Sequence, residues 1–158
     1  LTNGLGYVSL IVALLFALLG LCQLVRRRGL GRMDRELLML GLFYVLLLGC
    51  YVLFEKVIVN YRPVMITAAD GLEASYPSST TLLVLSVMPT LYFQAQRRLT
   101  QNALRQTICI FSVLFSAFMV IGRLISGVHW LTDIMGAVLL SSGIFLIYKA
   151  CISLLCKE

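Results

Sequence analysis

The chain has 158 residues, of which 60% are hydrophobic and only 13% are charged, and its mean hydropathy is +0.96. This charged fraction is about half that of an ordinary soluble domain, which excludes a soluble globular protein, a disordered chain and a nucleic-acid-binding domain. The net charge of +6 comes from 13 Lys and Arg against 7 Asp and Glu. The length predicts one domain with room for five membrane helices of about 20 residues each.

Five apolar runs follow one another along the chain, at residues 5–25, 37–54, 79–94, 107–125 and 131–156. Each run is continuous rather than alternating between apolar and polar residues, which favours membrane helices over the strands of a barrel. The third run contains Pro89, which a membrane helix tolerates as a kink when neighbouring groups satisfy the freed carbonyl. The sequence therefore predicts an all-α, polytopic membrane bundle of five spanning helices, forming a single domain over residues 1–158.

The first run differs from a signal peptide in the position of its charges. A signal peptide carries positive charge before a short apolar core, whereas Arg26, Arg27 and Arg28 follow a long core here. This order predicts a membrane anchor that stops at the cytoplasmic face. Because the chain starts at Leu1 rather than Met, the question of a further helix upstream stays open.

Basic residues are divided unequally between the two ends of the predicted helices. One end holds ten of the 13: Arg26, Arg27, Arg28, Arg32, Arg35, Arg97, Arg98, Arg105, Lys149 and Lys157. The other end holds Lys56, Arg62 and Arg123. The positive-inside rule makes the first end cytoplasmic. We therefore expect an integral protein of a bacterial cytoplasmic membrane, with residues 61–79 outside. Lipid binding by the basic loops is the alternative explanation of their charge.

The chain's one histidine, His129, lies on the predicted outer face, four residues before Asp133. On a helix this spacing places both side chains on one face. A carboxylate there can accept the proton of one ring nitrogen, which leaves the other nitrogen free to attack or to take a proton. The alternative is structural, with His129 at the membrane interface beside Trp130 and Asp133 capping a helix.

Two proline motifs flank the outer segment. Arg62 precedes Pro63 after the second run, and Pro77 is followed by Ser78 and Ser79 where the third run begins. Proline followed by hydroxyl residues is typical of a helix start, whose free N–H groups form an anion site. An arginine can also bind a phosphate through two parallel hydrogen bonds. Taken singly, each motif is better explained structurally, as an ordinary helix cap and as a loop arginine that reaches the membrane surface.

Together, the Arg-Pro motif, the serine motif and the pattern R-x5-H-x3-D resemble those of the type 2 phosphatidic acid phosphatases (PAP2), a family of membrane lipid phosphate phosphatases. The third motif matches fully, at Arg123, His129 and Asp133. The resemblance implies that His129 is a nucleophile that forms a phosphohistidine and that Asp133 orients it. It also implies a set of phosphate ligands: Lys56, Arg62, Ser78, Ser79 and Arg123. The family usually has six spanning helices, so five here place the N-terminus outside.

The chain departs from the family pattern in two places. The first motif is usually K-x6-R-P, but Glu55 occupies the usual lysine position and Lys56 follows it. This one-residue slip turns a helix by about 100°, which we expect the long lysine side chain to bridge. In the serine motif, Thr80 replaces a histidine that acts as general acid, and a hydroxyl is too weak an acid for that role. Asp70 and Glu73 are candidate substitutes, or else solvated loop carboxylates.

The missing acid leaves two functions open. The first is a metal-independent hydrolase of lipid phosphates or diphosphates. Polyprenyl diphosphates are favoured, because a phosphate leaving group, with a second pKa of about 6, needs less protonation than an alkoxide. The second function is a catalytically impaired protein that binds or transports lipid phosphates. The sequence predicts no cofactor and no metal site, and membrane lipids are the expected partners. All five cysteines lie in or near apolar runs, so we expect no extracellular disulfide.

Overall fold

A computed structural model of the protein describes residues 2–64 and 73–155. Within these residues the chain forms five α-helices: α1 (Thr2–Arg27), α2 (Arg35–Lys56), α3 (Ser79–Arg98), α4 (Asn102–Ser126) and α5 (Leu131–Leu155). A single 3₁₀ turn at Leu30–Arg32 lies between α1 and α2. Each helix coincides with one of the five predicted apolar runs. The prediction of an all-α membrane bundle is therefore confirmed.

Four of the described helices, α1, α2, α4 and α5, are long and apolar enough to cross a membrane. Their outer faces carry large apolar side chains that are more than half exposed, among them Leu14, Val45, Leu114 and Leu139. Exposure of this extent is unfavourable in water and is expected where hydrocarbon covers the surface. These four helices therefore meet the length and composition expected of membrane spans.

Helix α3 is the polar exception among the five. Its 20 residues reach about 30 Å, enough to span a bilayer, but it is less apolar than the others. The reason is a set of buried polar side chains along it: Thr81, Ser86, Thr90 and Gln94. Helix α3 packs against all four other helices, so these groups face protein rather than lipid. It has the position and length expected of the third span, although its composition alone does not identify it as one.

Buried polar groups of α3 bond to tyrosines of the neighbouring helices. The Tyr44 hydroxyl on α2 lies 2.9 Å from Oγ1 of Thr90, and Nε2 of Gln94 donates to the Tyr148 hydroxyl of α5 at 2.8 Å. Tyr148 also packs against Phe43, with ring centroids 5.2 Å apart. Because a buried polar group is costly without a partner, these bonds stabilise α3 at the centre of the bundle.

The two basic loops lie together at one end of the bundle. Nε of Arg97 donates to Oε1 of Glu36 at 2.6 Å, and Nη2 of Arg98 lies 2.7 Å from Oδ2 of Asp34. These contacts join the end of α3 to the start of α2, where Asp34 caps the helix by accepting from the N–H of Glu36. The grouping of these basic residues agrees with the charge pattern. Their placement on the cytoplasmic side stays a prediction.

Labelling from outside tests this orientation. In a variant without the five native cysteines, we expect a membrane-impermeant maleimide to modify Val64→Cys in intact cells and to spare Gln101→Cys until lysis. Both positions are exposed in the structure, so accessibility of the side chain does not limit either reaction. The physical reason is the excess of arginine at the end that holds Gln101. The opposite labelling pattern would show that the orientation is inverted.

The other end of the bundle is organised by two short extended segments and a helix break. Tyr61 and Ala74 form an isolated antiparallel bridge, in which the N–H of Arg62 donates to the carbonyl of Glu73 at 3.1 Å. Helix α4 ends at Ser126 and is followed by Gly127, whose φ of 64° suits a residue without Cβ. Asp70 lies outside the described residues.

Candidate active site

A cavity of about 440 Å³ opens at this end, between α2, the extended segments and the loop before α5. We call it the polar cavity. Its charged and hydroxyl-bearing lining residues include Glu55, Arg62, Glu73, Ser75, Ser79 and His129. Residues from three of the sequence motifs therefore meet in one place. Neither Ser75 nor Glu55 is a site residue in the sequence analysis.

His129 is buried, with 6% of its surface exposed, and lies in the loop between α4 and α5. Its Nδ1 lies 3.2 Å from both the hydroxyl and the carbonyl oxygen of Ser75. Its Nε2 has no hydrogen-bond partner among the described residues. A proton on Nδ1 satisfies these contacts and leaves the Nε2 lone pair without a partner in this part of the chain, and His129 is one of the residues that line the polar cavity. This is the arrangement that a nucleophilic imidazole requires.

Asp133 is fully buried at the start of α5 and accepts several hydrogen bonds. Oδ1 accepts from Nδ2 of Asn60 at 2.9 Å, and Oδ2 accepts from the Trp130 N–H at 3.0 Å and from the Ser75 hydroxyl. Oδ2 lies 3.6 Å from Nδ1 of His129, too far for a direct hydrogen bond. The pairing of His129 with Asp133 therefore exists as a close approach, with Ser75 between them.

Burial lowers the pKa of His129 from 6.5 to about 4. The positive charges of Arg123 and Arg62 act in the same direction, while Asp133 and the Ser75 carbonyl oppose them. The ring is therefore neutral near pH 7, which suits a nucleophile or a base and does not suit a general acid.

This pKa predicts a pH dependence that NMR can measure on the ring itself. Because His129 is the one histidine of the chain, its titration needs no assignment. We expect the ring to stay neutral from pH 7 down through pH 6 and to protonate with a midpoint near 4. The acid limb of kcat/KM, corrected for ionisation of the substrate, should show the same midpoint, because kcat/KM reports the free enzyme. A midpoint near 6.5 would show that the ring is not in this environment.

Two arginines lie around His129. Nε of Arg62 is 3.0 Å from Oε2 of Glu73, and Arg62 lines the polar cavity. Arg123, at the end of α4, is buried and donates from Nη2 to the Thr80 hydroxyl. Both arginines are near enough to depress the pKa of His129. The structure thus brings together the two arginines predicted to hold a phosphate.

The serine motif is divided between the cavity and the packing of α3. Ser79 lines the cavity, whereas the Ser78 side chain is fully buried and its hydroxyl lies 2.9 Å from Oγ1 of Thr81. The Ser78 N–H donates to the carbonyl of Asp133 at 3.2 Å. Thr80 contacts Arg123 and is not part of the cavity lining. Of the two predicted serine ligands, Ser79 is the one at the cavity.

The end of α2 presents Glu55 to the cavity, and Lys56 lies outside the lining. The reason is the helical turn of about 100° between consecutive residues. The structure therefore gives no contact that supports Lys56 as a phosphate ligand. Of the two candidate substitute acids, Glu73 lines the cavity and forms an ion pair with Arg62.

The described residues contain no group of three or more His, Cys, Asp or Glu side chains that could hold a metal ion.

Gly136 makes room for the segment that carries Ser75. A Cβ at Gly136 would lie within 2.6 Å of the Tyr76 ring, which also packs edge-on against Phe54 at 5.5 Å. Gly136→Ala must therefore displace Tyr76 and its neighbour Ser75. We expect a destabilisation of about 1–3 kcal/mol, typical of overpacking, and a loss of any activity. The thermal midpoint in detergent measures the first effect.

Gly143→Ala is the matched control, because it lies on the same helix and a Cβ there meets no atom of the described chain within 4 Å. It should leave the midpoint unchanged or raise it slightly. Equal midpoints for both variants would show that Tyr76 does not pack tightly on α5.

These features define a helical membrane protein with a buried histidine, a carboxylate and two arginines at one end of its bundle. The sequence profile of the PAP2 superfamily matches residues 36–155, a range that contains every site residue described above. The chain belongs to the PAP2 superfamily.

The fold is also similar to a crystal structure of a transmembrane PAP2-type phosphatidylglycerolphosphate phosphatase from Bacillus subtilis. The two share 20% sequence identity with a TM-score of 0.65, over 94% of this chain and 73% of that one. At this identity the similarity shows the fold alone. A search of curated protein sequences found no significant match.

Proposed function

We propose that this protein is a membrane lipid phosphatase in which His129 takes up the phosphoryl group. The Nε2 lone pair attacks phosphorus, and the bond between phosphorus and the leaving oxygen breaks. Water then attacks the phosphohistidine, the N–P bond breaks, and inorganic phosphate leaves. The observation that carries this proposal is the His129 ring, which belongs to a residue lining the polar cavity. Its Nδ1 is held by Ser75, and its buried Nε2 has no hydrogen-bond partner among the described residues. A purely structural histidine would be expected to have both nitrogens bonded.

Stabilisation of charge is the main task in phosphoryl transfer, and the cavity has groups suited to it. Arg62 lines the cavity, and its contact with Glu73 involves Nε, so its terminal guanidinium nitrogens can turn to a phosphate. Ser79 adds a hydroxyl in the first turn of α3, where the helix dipole favours an anion.

A second cavity supports a lipid as the substrate. It measures about 710 Å³, lies between α1, α2 and α3, and is lined mainly by apolar side chains. It shares Tyr51, Ser79 and Leu82 with the polar cavity. A hydrocarbon chain in this groove would place its phosphate near His129.

We further propose a preference for lipid diphosphates, polyprenyl diphosphates in particular. Thr80 supplies a weak acid that contacts Arg123, and Glu73 is paired with Arg62. Without a strong proton donor, the rate depends on how well the leaving oxygen bears negative charge. A phosphate leaving group bears it far better than an alkoxide.

A non-catalytic protein that binds or transports lipid phosphates is the second candidate. The observation in its favour is Thr80, which stands where the resemblance places a general acid. Phosphate release by the purified protein in EDTA, on a lipid diphosphate, separates the two. Turnover that EDTA does not reduce is expected for the phosphatase. Tight binding without phosphate release would favour the second candidate.

A further inference from the structure

Ser75 occupies the space between the histidine and the aspartate of the site. It is almost fully buried, with 1% of its surface exposed. Its hydroxyl oxygen lies 3.2 Å from Nδ1 of His129 and is hydrogen-bonded to Oδ2 of Asp133. The direct separation of Nδ1 from Oδ2 is 3.6 Å. The polar path from the carboxylate to the ring therefore passes through the serine hydroxyl.

The directions of these bonds follow from the number of protons. A carboxylate can only accept, so the single hydroxyl proton of Ser75 goes to Asp133. The lone pairs of the same oxygen then accept from Nδ1–H of His129, a proton that the Ser75 carbonyl also attracts at 3.2 Å. We infer that Ser75 is a positioning residue through which Asp133 acts on His129, fixing the tautomer that leaves Nε2 free.

Asn60 holds this arrangement from the other side. The main-chain carbonyl oxygen of Asn60 accepts a hydrogen bond from the main-chain N–H of Ser75 at 3.0 Å. The side-chain Nδ2 of Asn60 donates to Oδ1 of Asp133 at 2.9 Å. The two extended segments thus fix the serine and the carboxylate together. The Ser75 hydroxyl is placed by the fold rather than by a local turn, since 54 residues separate it from His129.

The consequence for the reaction rests on the proposed function. As Nε2 bonds to phosphorus, positive charge develops on the ring and Nδ1–H becomes a stronger donor. The Ser75 hydroxyl then carries the stabilising effect of the buried Asp133 carboxylate to the ring. Substrate binding does not require this link, so its loss should act on kcat rather than on KM.

A double-mutant cycle of Ser75→Ala and Asp133→Asn tests the inference. Ser75→Ala should lower kcat about tenfold to hundredfold, the scale of one hydrogen bond to a charged group, and leave KM within about twofold. The double variant should be no slower than the slower single variant, because both remove the same link. Multiplicative losses, or a normal kcat in Ser75→Ala, would overturn the inference.

Ser86→Ala is the matched control. Ser86 is fully buried on α3, and its hydroxyl has no hydrogen-bond partner within the described part of the chain. Loss of a buried hydroxyl as such should therefore leave kcat unchanged. A kcat in Ser86→Ala as low as that in Ser75→Ala would show that the effect is not specific to the link.

An NMR measurement decides the role of Ser75 even if the proposed function fails. The ¹⁵N shifts of the one histidine ring identify its tautomer and the strength of the Nδ1–H bond without turnover. We expect the Nδ1–H tautomer, and we expect Asp133→Asn to move its signal only while Ser75 is present. An equal movement in the Ser75→Ala background would overturn the inference. Full activity in His129→Ala would instead overturn the proposed function.

Discussion

His129→Ala is expected to reduce phosphate release to the background rate, a loss of about 10⁴-fold or more. The reason is that removal of a nucleophile abolishes the covalent route, and the remaining groups only bind and polarise the phosphate. Steady-state release from a lipid diphosphate measures the loss. His129→Gln should be equally inactive, because it keeps a polar side chain of similar size but cannot form a stable phosphoryl adduct.

Asp133→Asn is the informative companion to this variant. It should retain binding of a phosphate analogue such as vanadate and lose rate, because the ring loses the charge that stabilises it. Thermal midpoints of all variants show whether the bundle is intact. A His129→Ala protein that is folded and fully active would end the phosphatase proposal.

Thr80→His is expected to raise turnover of a lipid monophosphate by about 10²–10⁴-fold, the usual contribution of general acid catalysis, and to leave diphosphate turnover nearly unchanged. The physical reason is that only the alkoxide leaving group needs the proton. The comparison is between kcat/KM values on two substrates that share one lipid tail. An equal gain on both substrates would contradict the leaving-group argument.

Two further variants keep this result interpretable. Thr80→Val removes the hydroxyl that contacts Arg123 without adding an acid, so it should not raise the monophosphate rate. Glu55→Gln tests the other carboxylate in the cavity lining besides the paired Glu73. If Glu55→Gln alone removed monophosphate activity, Glu55 would be a substitute acid and the preference for diphosphates would lose its basis.

The sequence predicts the helices well because continuous apolar runs must form them in lipid. The fully matched third motif also indicates that His129, Asp133 and Arg123 act together, and the structure brings them to one end of the bundle. What the sequence could not predict is that the Ser75 hydroxyl lies between His129 and Asp133. His129 lies in the loop before α5, so the four-residue spacing rule of a helix does not apply to it.

The remaining differences come from contacts between distant segments. Ser75 and Asn60 lie far from His129 in sequence, and no spacing rule connects them to it. The one local feature of the sequence that could have indicated a role for Ser75 is its position two residues before Pro77. Glu55 lines the cavity and Lys56 does not, because one residue of helical rotation turns the two side chains in different directions. The sequence alone predicts that the long lysine side chain compensates for this rotation. The Ser78 hydroxyl does not reach the cavity because it bonds to the Thr81 hydroxyl in the first turn of α3.

The most direct test of the central proposal is to trap the phosphorylated protein. Rapid acid-free quenching during turnover of a ³²P-labelled lipid diphosphate should yield a label that is stable in alkali and labile in acid, as expected of a phosphohistidine. Because the chain has one histidine, the label should map to the peptide that contains His129 and be absent from His129→Ala. Turnover without any trapped label, or a label that persists in His129→Ala, would contradict the proposal.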